Sequence, residues 1–117
     1  VGGERAREGA QLQYTQSVGW GNLDAASEFV DPELRPGFLD QRPAFEAVRI
    51  TDYEIGRIDF GDDRESATVR VTYRAYSLAS LEERRIEERQ RWIRPSGNTW
   101  YVQPELAGLL PLAGKAR

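Results

Sequence analysis

Between Ala67 and Ala75 the chain alternates without a break: Ala67, Val69, Val71, Tyr73 and Ala75 are apolar or aromatic, with Thr68, Arg70, Thr72 and Arg74 between them. Successive side chains of a strand point to opposite faces, so this pattern specifies a strand with one buried and one wet face. Such a strand needs neighbours to pair with and a second layer to cover its apolar side.

The same period of two begins at Val48. Val48/Ile50, Tyr53/Ile55 and Ile58/Phe60 are alternating pairs, each out of phase with the one before. A bulge near Asp52 and another near Gly56 would return all three pairs to one side and bend the strand. Gly61-Asp62-Asp63 reads as the turn into the next strand, and Pro95-Ser96-Gly97 as the turn into a last short strand over 98–103 that carries Trp100.

The stretch SLEERRIEERQRW, residues 80–92, is ambiguous at first sight because Ser80-x-x-Glu83 is a helix-capping signature. In a helix, however, Ile86 would have only Glu82, Glu83, Arg89 and Gln90 as neighbours, and no apolar stripe would exist to bury. As a strand, Ile86 and Trp92 share a face. A hairpin loop over 77–80 would set Tyr76 opposite Leu81 and Ile86 opposite Val71, with Arg74 facing Glu83 and Arg70 facing Glu87 on the outer side. The inward face then reads Ile86, Glu88, Gln90, Trp92.

Upstream of Val48 the period is close to four. Ala6, Ala10, Tyr14 and Val18 predict a helix over 4–18, broken at Gly19-Trp20-Gly21. Asn22 is a capping residue for a second, short helix in which Leu23, Ala26, Phe29 and Val30 share a face, ended by Asp31-Pro32. Residues 31–47 contain three prolines and Gly37 and read as a connecting loop with one helical turn. The predicted architecture is a single α+β domain over residues 1–117: helices over about 4–30, a connection over 31–47, a sheet over 48–103 and a tail over 104–117.

Composition narrows the chemistry. The chain has no cysteine, histidine or methionine, which excludes thiolate and imidazole catalysis and typical zinc sites. A net charge of −3 argues against nucleic acid as a partner. No apolar run reaches the length of a membrane span. The acidic group Asp59, Asp62, Asp63 and Glu65 lacks the spacing of a calcium loop, so no metal and no cofactor is expected. The sequence starts Val1-Gly2-Gly3 with no methionine, as expected of a mature or trimmed form from which a targeting segment has been removed.

Glu88 is the residue with the most chemistry in it. A carboxylate on the inner face of a sheet is costly unless paired, and its pKa rises, which is how a general acid or base is made. The alternative is a bulge or an open rim that gives the side chain to water. Tyr14, Trp20, Tyr53, Tyr73, Trp92 and Trp100 can line an aromatic ligand pocket together with Glu88 and Gln90, or can simply be the core.

The helical element WGNLDAASEFVDPELR, the bent strand VRITDYEIGRI and the terminal hairpin QRWIRPSGNTWYV, in that order, resemble the cystatin-like α+β cone. More narrowly they resemble the nuclear-transport-factor-2-like superfamily, and within it small bacterial envelope proteins, often lipoproteins. The likeness covers about residues 5–103 and implies N-terminal helices packed on the concave face of a bent four-stranded antiparallel meander. Enzymes of that superfamily, such as ketosteroid isomerase and scytalone dehydratase, use Asp, His or Tyr inside the cone. This chain has no histidine and no aspartate on an inward strand position. The resemblance therefore implies a non-catalytic module at the cell envelope or in the periplasm, held by a lipid anchor upstream of Val1, that binds a protein partner or a small apolar ligand and pairs as a homodimer through its sheet. The other reading is an acid–base isomerase or dehydratase using Glu88 with Tyr73. Ligand binding in either case would draw on Tyr14, Tyr53, Tyr73, Glu88, Gln90, Trp92 and Trp100.

Overall fold

A computed structural model describes residues 2–62, 65–95, 97 and 99–107. Helix α1 spans Gly2–Gly19 and α2 Leu23–Ser27; a 3₁₀ turn at Pro32–Leu34 leads to α3, Arg35–Leu39, and α4, Arg42–Glu46. Four strands follow: β1 Val48–Phe60, β2 Ser66–Ser77, β3 Glu83–Ile93 and β4 Tyr101–Ala107. They form one antiparallel meander in the order β1-β2-β3-β4. The helices bury one face of it, as the α+β reading requires.

Helix α1 ends where its sequence says it must. Gly21 has φ +77°, its N–H reaches the carbonyl of Val18, and the N–H of Asn22 reaches that of Ser17, which is a Schellman closure that only a residue without a Cβ adopts cheaply. Asn22 then caps α2 by accepting from the Ala25 N–H at 3.1 Å. The buried stripe of α1 is Arg7, Gln11, Tyr14, Thr15 and Val18, whereas Ala6 is exposed. A strict spacing of four drifts away from a helix of 3.6 residues per turn, so the expected stripe holds at Tyr14 and Val18 and fails at its first member.

The connection over 31–47 is more ordered than its prolines suggested. Pro32, Pro36 and Pro43 each sit in the first turn of a helical segment, where a missing N–H costs nothing. These prolines start helices instead of breaking them. The connection brings Phe38 and Phe45 into the core. Just before it, Val30 pairs in parallel with Val102, which covers part of the outer edge of β4.

Strand β1 carries register irregularities between Ile50 and Asp52 and between Ile55 and Ile58, at the two places its phase breaks indicated. Strand β3 is a strand throughout, with inward Ile86, Glu88, Gln90 and Trp92 all buried. Its register differs from expectation. Tyr76 pairs with Glu83, Tyr73 with Ile86 and Val71 with Glu88, so the hairpin is two residues longer on the β3 side. Leu81 takes φ +61° and returns its N–H to the Ser77 carbonyl at 2.7 Å, which stores the extra residues in the loop. Because the slip is even, every side chain keeps its face. The outer charge pairs do not survive it: Arg74 faces Arg85, Arg70 faces Arg89, and Glu87 faces Thr72.

Strand β4 runs to Ala107 instead of stopping at Gln103, so Pro104 to Ala107, expected in the tail, are part of the sheet. Pro104 is tolerated because β4 is the edge strand. The rest of the expected tail, residues 108–117, lies outside the described residues, as do Asp63, Ser96 and Asn98 of the expected turns and final strand. No helix among the described residues is long and apolar enough to cross a membrane.

Candidate functional site

Alternation along β3 puts Glu88 on the inner face, and its cross-strand neighbours Val71 and Leu106 flank it there. Helix α1 lies over the same face and lowers Tyr14 onto it. The Tyr14 hydroxyl donates to Glu88 Oε2 at 2.6 Å. The Tyr73 hydroxyl donates to Oε1 at 2.6 Å, and the Gln90 side-chain amide donates to the same oxygen at 2.8 Å.

Gln90 is itself oriented from both ends. Trp92 Nε1 donates to its carbonyl oxygen at 2.9 Å, which turns its NH₂ group toward Glu88 and toward Thr15 Oγ1, 3.1 Å away. Thr15 can accept there because its own hydroxyl proton goes to the Gln11 carbonyl at 2.8 Å. Donors thus run from Trp92 through Gln90 into the carboxyl group and directly into it from Tyr14 and Tyr73, while a branch runs from Gln90 through Thr15 to the Gln11 carbonyl of α1. Buried polar networks in which every member is satisfied favour one arrangement of the core.

Glu88 is 2% exposed. Burial lifts its pKa above the ordinary carboxyl value, and the three donors, Gln90, Tyr14 and Tyr73, hold that rise back. Burial, and then the charge of Glu88, push the Tyr14 and Tyr73 phenols well above their usual range. The aromatic surroundings are close-packed: Tyr14 meets Trp92 edge-on at 5.9 Å between ring centroids and Phe38 at 6.2 Å, and Tyr73 meets Tyr53 at 6.0 Å.

Of the residues singled out from the sequence, Tyr14, Tyr73, Glu88, Gln90 and Trp92 come together in this cluster, with half-buried Tyr53 at its margin. Trp100 is buried near the β3–β4 turn, with the Arg94 guanidinium 5.2 Å above its ring, and β3 pairs Trp92 with Val102 and not with Trp100. Trp20 is 85% exposed and lines no part of the cluster. Gly21 turns the chain immediately after it, so its ring swings outward with the helix end. Thr15, Gln11 and Phe38 were not signalled as site residues; on a helical face Gln11 lies three residues before Tyr14, and Thr15 four residues after Gln11.

A cleft of about 680 Å³ is lined by Arg70, Thr72, Glu87, Arg89 and Glu105, together with Gln41. These strand residues alternate with Val71, Glu88 and Leu106, which the same cleft touches. Arg70, Thr72, Glu87, Arg89 and Glu105 belong to the outer face of the sheet, and Gln41 joins the cleft from the connection between α3 and α4. Among the described residues no cluster of acidic side chains suited to a metal ion is found.

No protein-family model matches the chain, and no curated protein matches it. Solved structures do. A ketosteroid isomerase-like protein from Erwinia carotovora atroseptica superposes with a TM-score of 0.61 at 16% identity over 81% of this chain and 86% of its own. SalBIII, an epoxide hydrolase/cyclase-like enzyme of pyran ring formation in salinomycin, gives 0.55 at 16% identity over 92% and 99%. A SEC-C motif-containing protein from Rhodopseudomonas palustris gives 0.61 at 18% identity over 78% and 70%. At these identities the likeness is one of fold alone: N-terminal helices on a four-stranded antiparallel sheet.

Proposed function

We propose that this protein is a non-catalytic interaction module whose buried Glu88 cluster is structural and whose binding surface lies elsewhere. One observation carries this reading: both Glu88 oxygens already accept hydrogen bonds from the protein, and the residue is 2% exposed. A general base must reach the proton that it abstracts. Here Tyr14, which donates to Glu88, is itself packed against Trp92 and Phe38. The outer-face cleft beside Arg70 and Arg89 is the surface offered to a protein partner or to a second copy of the chain. Placement at the bacterial cell envelope rests on the sequence resemblance alone; a lipobox encoded directly upstream of Val1 would be its test.

A second reading has an observation of its own. A carboxyl group of raised pKa between two tyrosine hydroxyls is a competent acid–base group, and two of the structurally similar proteins carry isomerase-like and cyclase-like descriptions. Under this reading Tyr14 swings away with α1 to admit substrate.

A thermal-shift screen of a broad small-molecule library against the parent and Glu88→Gln separates the two. The interaction reading expects the same hits, or none, in both proteins. Ligands that stabilise the parent and are lost in a folded Glu88→Gln would overturn it in favour of the acid–base reading.

A further inference from the structure

Arg7 is 2% exposed, and its Nε and Nη1 atoms are buried with no hydrogen-bond acceptor among the described residues. A buried guanidinium without an anion is among the costlier arrangements a protein can hold, and it is scarce unless something supplies the missing charge. The guanidinium carbon lies 5.5 Å from the centre of the Phe60 ring.

The surroundings add a second, independent sign. Ile58 pairs with Val69 and Phe60 with Ala67. Directly paired residues share a face, and Val69 and Ala67 are buried on the inner one. Ile58 and Phe60 therefore point inward, yet they are 38% and 50% exposed. At this end of β1 the inner face is only partly covered, with Arg7 of α1 lying over the Phe60 ring. A partly exposed apolar pair, Phe60 and its same-face neighbour Ile58, thus lies at the end of the sheet where Arg7 is buried without an acceptor among the described residues.

We infer that this partly covered end of the sheet binds an amphipathic monocarboxylate, its carboxylate on the Arg7 guanidinium and its hydrocarbon against Ile58 and Phe60. One guanidinium neutralises one negative charge, whereas a phosphate dianion would leave charge uncompensated in a buried place. The exposed apolar pair demands a hydrocarbon body, so a small mineral anion satisfies only half of the site. This site is separate from the Glu88 cluster and stands whichever role that cluster has.

Octanoate, with octanol as the uncharged control, tests it. Octanoate is expected to raise the melting temperature and to shift the Arg7 Nε–H and the Ile58 methyl resonances, with octanol giving neither effect. Loss of a charge-assisted pair should weaken octanoate binding by about tenfold or more in Arg7→Met. Arg7→Met itself should melt no lower than the parent, since it removes an unpaired buried charge. Phe60→Ala, at an exposed position, serves as a second folded variant with weakened binding, and Glu88→Gln should bind octanoate as the parent does. The inference is overturned by equal responses to octanoate and octanol, by no response to octanoate, or by a response that survives Arg7→Met. Loss of octanoate binding in Glu88→Gln but not in Arg7→Met or Phe60→Ala would also overturn it, by placing the ligand at the other cluster.

Discussion

Tyr14 of the first helix and Glu88 of the third strand, 74 residues apart in sequence, meet through a 2.6 Å hydrogen bond from the phenol to Oε2. This contact joins the helical layer to the sheet at a point where neither side chain reaches water. Among the described residues it is also unshared: Oε1 accepts from both Tyr73 and Gln90, whereas Oε2 accepts from Tyr14.

That asymmetry gives an ordering. Tyr14→Phe should cost about 1–3 kcal/mol, because a buried acceptor oxygen loses its donor, and Tyr73→Phe should cost less, because Gln90 still serves Oε1. Urea denaturation of the two variants checks it. Equal losses, or a larger loss for Tyr73→Phe, would mean that the two oxygens are not served as described.

The raised pKa of Glu88 predicts a pH dependence of stability with a definite sign. Between the ordinary carboxyl value of 4.5 and the raised folded value, the folded state holds more protons than the unfolded one. The stability that Glu88 contributes through this linkage is therefore fully present below that ordinary value and is lost as pH rises through the folded pKa. Gln at position 88 cannot titrate, so the stability of the parent relative to Glu88→Gln should fall as pH rises from the acid side toward neutrality. Parallel stability curves for the two proteins would sink this account.

The tryptophans separate core from surface. Trp92 is fully buried against Tyr14, and Trp92→Ala should cost about 3–5 kcal/mol. Trp20 is 85% exposed, and Trp20→Ala should change stability by no more than about 0.5 kcal/mol. Chemical denaturation of both variants is sufficient, and an unchanged midpoint for Trp92→Ala would contradict its inward facing.

On the outer face, Arg70 stands opposite Arg89, with Thr68 and Thr72 as its neighbours along the strand on that side. Like charges directly opposite each other are destabilising, so Arg70→Glu should stabilise the fold by about 0.2–1 kcal/mol. The gain should shrink in high salt, since the pair is exposed. Had the register been the one that pairs Arg70 with Glu87, the same substitution would place two carboxylates together and lower the melting temperature.

Short-range rules were enough for much of this molecule. The alternation from Ala67 to Ala75 determined the facing of β2, the two phase breaks located the irregularities of β1, and Asn22 marked the start of α2. The inward facing of Glu88 also followed from parity along one strand, whereas its burial, as against an open rim, was decided by the helix that covers it. What required the tertiary structure were relations between segments. The β2–β3 register depended on how many residues the loop at Leu81 stores, and a slip of two is invisible to parity. The extension of β4 through Pro104 depended on its being an edge. That Tyr14 serves Glu88, and that Arg7 lies buried beside Phe60, depended on how α1 is rotated and seated over the sheet. Helix periodicity fixes which residues share a stripe, but only packing against the other layer decides what that stripe meets.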